Sequence, residues 1–327
     1  MPRIHRTDLL AEVADLYYLQ DWTQSKLARH TGLSQSQISR MLREARDRGI
    51  VQIHVHRPLR TATSYERQVG EALGLADCRV LAIDPAQGEP DPDATSAQVG
   101  ALAAQYLQDR IADRMVIGVG WGSMVRATIT SGILQGKRNV TVVQIQGGVG
   151  GASQDVDGAR LTAELGRTLG ATTHYLNAPM IVADPSIRIG LMRDPHIRRT
   201  IELGRTADVS IVGIGAISPQ SGLYRAGYLN DDDLAYIERA GAVGDVCGHY
   251  FREDGSSCPL EIDDRILGLA REALQAIPIR VGVAYGTSKA ASTIGAARSR
   301  LINILITDEP TARTMLDLLG SPTGTDS

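Results

Sequence analysis

Cysteine, lysine and long apolar runs are what this chain of 327 residues has least of. Its three cysteines, Cys78, Cys247 and Cys258, are too few and too scattered to frame a disulfide scaffold or a zinc site. Each is therefore expected as a small buried hydrophobe, and no metal or other cofactor is expected. No apolar stretch approaches the ~18–20 residues of a membrane span, and residues 1–10 lack the apolar core of a signal peptide, which points to a cytoplasmic protein without membrane contact. Of 34 Lys and Arg residues only Lys26, Lys137 and Lys289 are lysine, leaving 31 arginines.

What the chain does have is 34 glycines, 43% hydrophobic and 22% charged residues, a composition that excludes a largely disordered protein and fits an α/β fold with many strand-to-helix turns. The length suggests a small module joined to a larger one. A net charge of -3 conceals an asymmetry: residues 1–60 carry ten Lys/Arg and six Asp/Glu, or +4, so the remaining 24 and 31 leave -7 for the rest. One end of the protein is built to approach something negative.

A motif within that basic end says what. Leu9, Leu10, Val13, Leu16 and Tyr17 recur at helical spacing over residues 7–20, the pattern stops at Asp21-Trp22, and Thr23 is placed to cap a second helix over 24–30. Gly32 and Leu33 form a tight corner, and Ser34 caps a third helix with Gln37 completing a capping box. Leu27, Ala28, Gly32, Leu33, Ile38 and Met41 are apolar or small where a helix-turn-helix requires it. On the third helix Ile38, Met41, Leu42 and Ala45 make the buried stripe, which turns Ser36, Arg40, Arg43 and Asp47 outward with Gln35 and Ser39 flanking. The expected DNA-binding residues are Thr23, Gln35, Ser36, Gln37, Ser39, Arg40 and Arg43: small polar and amide groups reach base edges, and arginines take guanine or phosphate.

Residues 50–56 alternate apolar and polar and predict one strand, half of a small wing, followed by a linker over 57–64. Tyr65, Val69 and Leu73 then mark a short helix that either pairs with its copy in a second subunit or packs on its own domain. Beyond it, apolar strands at 80–83, 115–119, 141–145, 209–213, 280–284 and 302–306 alternate with helices at 96–111, 125–133, 160–169, 231–239, 290–298 and 309–318, and residues 87–95 read as a polar loop. That is the signature of a doubly wound parallel sheet covered on both faces. The expected organisation is a helix-turn-helix domain over 1–57, a linker and helix over 58–75, an effector-binding and oligomerisation domain over 76–320, and a loose tail over 321–327.

In such sheets ligands bind where strands end and helices begin. Four glycine-bearing loops lie there: Gly118 to Met124, Gln146 to Gly150, Gly241 to Gly248, and Tyr285 to Lys289. The first lacks the spacing and the acidic or GK[ST] partners of nucleotide loops. Ser123 can donate a hydroxyl, Asp245 can accept sugar hydroxyls, and Lys289 is a compact ammonium in an arginine-rich chain, which favours a ligand role for it. Trp121 either packs in the core or stacks on a sugar.

The block DWTQSKLARHTGLSQSQISRMLREARDRGIV (21–51), Gly120-Trp121-Gly122, Gly213-Ile214-Gly215, GAVGDVCGHYF (241–251) and VGVAYGTSKAASTIGAARSRLINILITDE (281–309) together carry a family resemblance. In them the chain resembles the SorC-type sugar-binding transcriptional regulators of bacteria over nearly its whole length. The resemblance implies an effector domain related to sugar-phosphate isomerases and deaminases, a sugar or phosphosugar effector, double-stranded operator DNA as partner, and a homo-oligomer, dimer or tetramer. Matched by position, the family's phosphate loop falls on Ser123 and Met124 beside Gly120, Trp121 and Gly122, its strand-end contacts on Gln146, Gly147 and Gly148, its acidic and lysine contacts on Asp245 and Lys289, and a looser match on Arg225. Relatives that bind phosphosugars often carry a second hydroxyl residue at Met124 and some an arginine at Gln146. Their loss here leaves an unphosphorylated sugar, a polyol or a monophosphate as the expected ligand. A sugar-phosphate isomerase or deaminase is the competing reading, but the loops bring no His/Glu/Asp cluster beyond Asp245 and His249, and such an enzyme has no use for a helix-turn-helix.

Overall fold

The computed structural model describes residues 6–51, 59–84, 91–150 and 156–320. The chain divides into two compact units, Met1–Pro58 and Leu59–Ser327. The first is helical: α1 (Arg6–Tyr18), α2 (Gln24–Thr31) and α3 (Gln35–Asp47). Thr23 caps α2 by accepting from Lys26 N–H, and Gly32 ends it at φ 70°, a conformation glycine adopts without strain. Ser34 opens α3 with a full capping box to Gln37. Leu27, Ile38, Leu42 and Val13 are buried together, and Ala45 joins Leu10 and Ala14 in an adjoining cluster. Met41, placed in the stripe from the sequence, is only half-buried at its margin. The strand predicted over 50–56 falls mostly outside the described residues; Ile50 and Val51 themselves pack against the Leu10 cluster.

The second unit begins with α4 (Thr63–Leu73) and contains ten strands among its described residues: β1 (Asp77–Leu81), β2 (Val116–Val119), β3 (Thr141–Gln144), β4 (Thr172–His174), β5 (Val209–Gly213), β6 (Gly215–Ala216), β7 (Gly244–Val246), β8 (His249–Phe251), β9 (Ile279–Val283) and β10 (Ile304–Asp308). Seven form a parallel sheet in the order β1-β10-β9-β5-β2-β3-β4. Strand residues alternate between two cores. Val209, Ile211, Ile304 and Ile306 enter one, with helix residues such as Leu107 and Leu165, while Val212 and Leu305 enter the other, with Ile201 and Ile294. The doubly wound α/β class expected from the sequence is the class observed.

Several boundaries differ, each for a physical reason. The last strand lies at 304–308 rather than 302–306, because Ile302 is a buried loop residue packed against Gly282 and so imitates a strand position. The polar loop over 87–95 gives way at Asp91, whose carboxylate caps the helix Pro92–Arg110 with proline at its first turn. The linker over 57–64 is tied down at its far end: Ala62 N–H donates to Val80 and Ala82 N–H to Arg60, at 2.8 and 2.9 Å. The α4 alternative resolves towards its own unit, since Val69 is fully buried beside Cys78 and Glu66 accepts from Val80 N–H. β4 and the antiparallel sheet β6-β7-β8 were not expected. All three cysteines are buried and unpaired, and among the described residues no helix is long and apolar enough to cross a membrane.

Candidate functional site

The exposed face of α3 gathers most of the residues expected to meet DNA. Gln35, Ser36, Gln37, Arg40 and Arg43 are exposed on it, whereas Ser39 is half-buried. Their contacts are local. Gln35 Nε2 donates to Ser25 Oγ across the turn, Ser36 and Ser34 share a hydroxyl hydrogen bond at 3.0 Å, and Arg40 Nε donates to Ser36 O at 3.4 Å. Gln37 gives its side-chain oxygen to Ser34 N–H at 2.8 Å, so its amide nitrogen is what it can still offer a base. Thr23 accepts from Lys26 N–H at 3.2 Å and keeps its hydroxyl proton for a phosphate. Glu44, one of two acidic residues in α3, is turned to structural use: Arg6 reaches it at 2.7 Å and Arg48 at 2.8 Å, and the hydrogen bond from Arg6 holds its carboxyl below the usual range. The pairing ties α1 to α3 and leaves the outward face basic.

In the second unit the carboxyl ends of β2, β3, β5 and β9 open into a cavity of about 240 Å³, sized for a small metabolite. After β2 the chain runs through Trp121 and Gly122, the latter at φ 127°, before Ser123 starts a short helix, Ser123–Ile129. After β5 it turns directly into β6, which pairs with β7 so that Gly215 lies opposite Asp245. After β9 it passes Gly286, at φ 95°, into the turn that carries Lys289. Trp121 packs edge-on over Gly222, where a Cβ would come within 2.4 Å of its ring, so the indole is wedged against the helix Gly222–Arg225 while still lining the cavity.

Of the eleven residues expected to hold an effector, Trp121, Gly122, Ser123, Met124, Gln146, Arg225, Asp245 and Lys289 line this cavity. Gly120, Gly147 and Gly148 do not. Gly147 N–H donates to Leu267 O and Gly148 N–H to Ala178 O, and a Cβ on Gly147 would meet Pro179 O at 2.4 Å. Gly147 serves close backbone packing, whereas Gly148 pairs with the segment around Pro179 and borders a second cavity beside Asp157 and Tyr228. Gly120 N–H is likewise bound, to Ile211 O.

Lys289 and Asp245 form no ion pair with each other among the described residues, though each influences the other's titration. Lys289 Nζ donates to Ile214 O at 2.9 Å, and Asp245 Oδ2 accepts from Gly248 N–H at 3.0 Å. Burial lowers the Lys289 pKa, with Asp245 opposing and Arg225 adding to the shift. Burial raises the Asp245 pKa against the pull of the Gly248 hydrogen bond and of Lys289. Each ion thus has one backbone contact and unused hydrogen-bonding capacity facing the cavity, an arrangement that a ligand carrying both acceptors and donors completes. Among the described residues no group of three or more His, Cys, Asp or Glu converges as a metal site. His249 Nε2 meets Leu269 O at 2.8 Å, and burial holds the ring below its ordinary pKa.

The cavity is also lined by Tyr250, Tyr285 and Cys247, which lie in segments marked from the sequence but were not named as ligand contacts, and by Ser221, which lay in none of them. Tyr250 could have been found only by recognising β7-β8 as a hairpin, because it stands directly across from Asp245 in the ladder.

The Sugar-bind family, a sugar-binding domain, matches residues 57–317. The deoxyribonucleoside regulator of Bacillus subtilis strain 168 is 28% identical over 312 residues, spanning 95% of this chain and 98% of that protein. The transcriptional regulator LsrR of Enterobacter sp. strain 638 is 30% identical over 318 residues, spanning 96% and 94%. Among solved structures, the full-length sorbitol operon regulator SorC from Klebsiella pneumoniae superposes with a TM-score of 0.72 at 26% identity, covering 95% of this chain and 99% of that one. These similar proteins are transcriptional regulators, not enzymes.

Proposed function

Because the chain belongs to the SorC-type family of sugar-binding transcriptional regulators, we propose that it binds operator DNA through α3 and responds to a sugar, polyol or sugar monophosphate held among Lys289, Asp245, Arg225 and the Trp121–Met124 loop. It is a ligand-responsive regulator and not an enzyme. The observation that carries the ligand assignment is the pair of opposite charges, Lys289 and Asp245, facing one cavity without neutralising each other. An apolar metabolite would leave both unanswered, whereas a sugar offers donors to the carboxylate and acceptors to the ammonium. Arg225, exposed at the same cavity, adds a second cation and favours one anionic group on the ligand.

A helix-turn-helix regulator that reads two half-sites does so as a symmetric assembly, and the working form we propose is a homo-oligomer, a dimer or tetramer, in the cytoplasm, where bacterial DNA is. Effector and operator affinities are coupled, and reciprocity requires each ligand to change the other's affinity by the same factor. A thermal-shift screen of sugars, polyols and their monophosphates, followed by operator titrations with and without each hit, tests the reading. A ligand that both stabilises the protein and alters operator affinity supports it; a stabilising ligand that leaves operator affinity unchanged refutes the regulatory coupling.

A further inference from the structure

The chain enters the effector unit at Leu59 and runs at once along an edge of the sheet. β1 is an end strand of the seven-stranded sheet, and an end strand presents a row of unpaired N–H and C=O groups on its outer side. The entering segment answers them. Thr61 bridges Leu81 antiparallel, Ala62 N–H donates to Val80 O at 2.8 Å, and Ala82 N–H donates to Arg60 O at 2.9 Å. A strap held at a sheet edge by two backbone hydrogen bonds belongs to the low-stability end of a fold and opens locally.

Two ties connect this strap to the ligand loop. Leu81, which Thr61 bridges on one side, pairs on the other with Asp308, the last residue of β10. Asp308 is 3% exposed, and its Oδ1 accepts from Thr311 Oγ1 and, at 3.1 Å, from Gly286 N–H. Gly286 lies between Tyr285 and Lys289, which both line the cavity, so the carboxylate that ends β10 fixes the backbone of the ligand loop. Glu309 makes the second tie. It accepts from Ile83 N–H at 3.2 Å and from Arg313 at 3.1 Å, and Arg313 Nε donates to Tyr65 Oη at 3.2 Å on α4, directly after the strap. Tyr65 N–H in turn donates to Ala62 O at 2.9 Å. Of these described residues, the strap, Tyr65 and Arg313 stand outside the cavity lining.

We propose that the strap is the element that couples the effector to the DNA-binding unit. A sugar that completes the bonding of Lys289 fixes the loop from Gly286 to Lys289, the loop steadies Asp308 and with it the paired ends of β1 and β10, and the strap closes more firmly on β1. The proposal rests on the effector reading above and deepens it with a two-state element, the strap on or off its edge, which a coupling route requires. Reciprocity then fixes a ratio: the factor by which a saturating sugar suppresses strap opening equals the factor by which loss of the strap weakens sugar binding.

The test uses the full chain, with ribose, ribose 5-phosphate, glucose 6-phosphate, sorbitol and sorbitol 6-phosphate as probes and calorimetry to measure binding. With a saturating probe, amide hydrogen exchange at Ala62 and Ala82 should slow threefold or more. Thr172 N–H, bonded to Val140 O at 3.0 Å in the opposite end strand β4, should keep its rate. Unchanged or faster exchange at Ala62 and Ala82 overturns the proposal. Equal slowing at Thr172 also overturns it, since the sugar then steadies the whole unit and not the strap. Ala62→Pro removes the donor that holds the strap to Val80, and its sugar affinity should fall by the factor found for exchange in the wild type. Wild-type affinity in that variant overturns the proposal and leaves the effector reading standing. Tyr65→Phe, which removes only the hydroxyl that Arg313 reaches, gives the same comparison if the proline variant does not fold: Ala82 should exchange faster and sugar affinity should fall twofold or more, and wild-type values for both overturn the proposal. If none of the five probes binds the wild type, the effector reading itself fails and the proposal falls with it.

Discussion

Replacing Gly215 with alanine places a methyl group where Asp245 has its carboxylate. A Cβ there would stand 1.9 Å from Asp245 Oδ1 and 2.9 Å from its Cγ, against an ordinary contact of 3.4 Å, so the carboxylate must retreat by about 1.5 Å. It has little freedom to do so, since Oδ2 is held by Gly248 N–H at 3.0 Å. Losing a hydrogen bond to a charged group costs about 1.5–3 kcal/mol, and alanine recovers about 0.5–1 kcal/mol over glycine in a strand. A net loss of about 1–2 kcal/mol is expected, which lowers Tm by roughly 2–4 °C per kcal/mol in a domain of this size. Effector affinity should fall further, by roughly ten- to a hundredfold, because the displaced carboxylate also loses its bond to the ligand. Operator affinity of the ligand-free protein should not change, because the helix-turn-helix unit has its own core. Scanning calorimetry, effector titration and operator anisotropy read the three effects separately. An alanine variant with wild-type Tm and wild-type effector affinity would refute the assignment of Asp245 to the binding wall.

Arg40→Ala should reduce discrimination between operator and random DNA by roughly five- to a hundredfold, whereas Arg43→Ala should weaken both and flatten the dependence of log K on log salt; salt-controlled anisotropy distinguishes base reading from phosphate contact. Leu27→Ala, at a position with 0% exposure in a core of few side chains, should cost about 2–5 kcal/mol and abolish operator binding at physiological temperature while the effector unit still melts normally, as two-transition calorimetry would reveal. Burial sets the Lys289 pKa below 10.5, so an anionic effector should bind more weakly as pH rises through that lowered value, where the ligand-free ammonium gives up its proton; effector titration across pH checks this, and Lys289→Met should remove the dependence. In that same window the unfolded chain holds the proton more tightly than the ligand-free fold, so the stability of the ligand-free protein should rise with pH.

Much of the DNA-binding unit was written in short-range chemistry. Thr23, Ser34 and Gln37 set helix starts through bonds three residues away, Gly32 supplies the left-handed corner, and the spacing of Leu27, Ile38 and Leu42 names the buried face. The parallel sheet was legible for a similar reason: strands buried on both sides must be apolar and must end in turns. The glycine-bearing loops and the scarcity of lysine brought Asp245 and Lys289 into view, and the family likeness matched them, but neither gave what they face.

The rest depended on contacts between residues far apart in the chain. β4 is Thr172-Thr173-His174, which has no apolar alternation and is a strand only because β3 offers it an edge. The segment 241–251 looks like a glycine-rich loop until β7 pairs with β6 on one side, which puts Gly215 against Asp245, and with β8 on the other, which puts Tyr250 opposite Asp245 in the ladder. Gly147 and Gly148 resemble the other glycines at strand ends, yet Pro179 and Ala178, some thirty residues on, occupy their surroundings. Local sequence determined which segments would be helix, strand or turn, because capping and periodicity act over three or four residues. Which strand-end glycines border the cavity and which let two backbones touch were decided by tertiary packing, because each is a property of the partner that the fold brings to it.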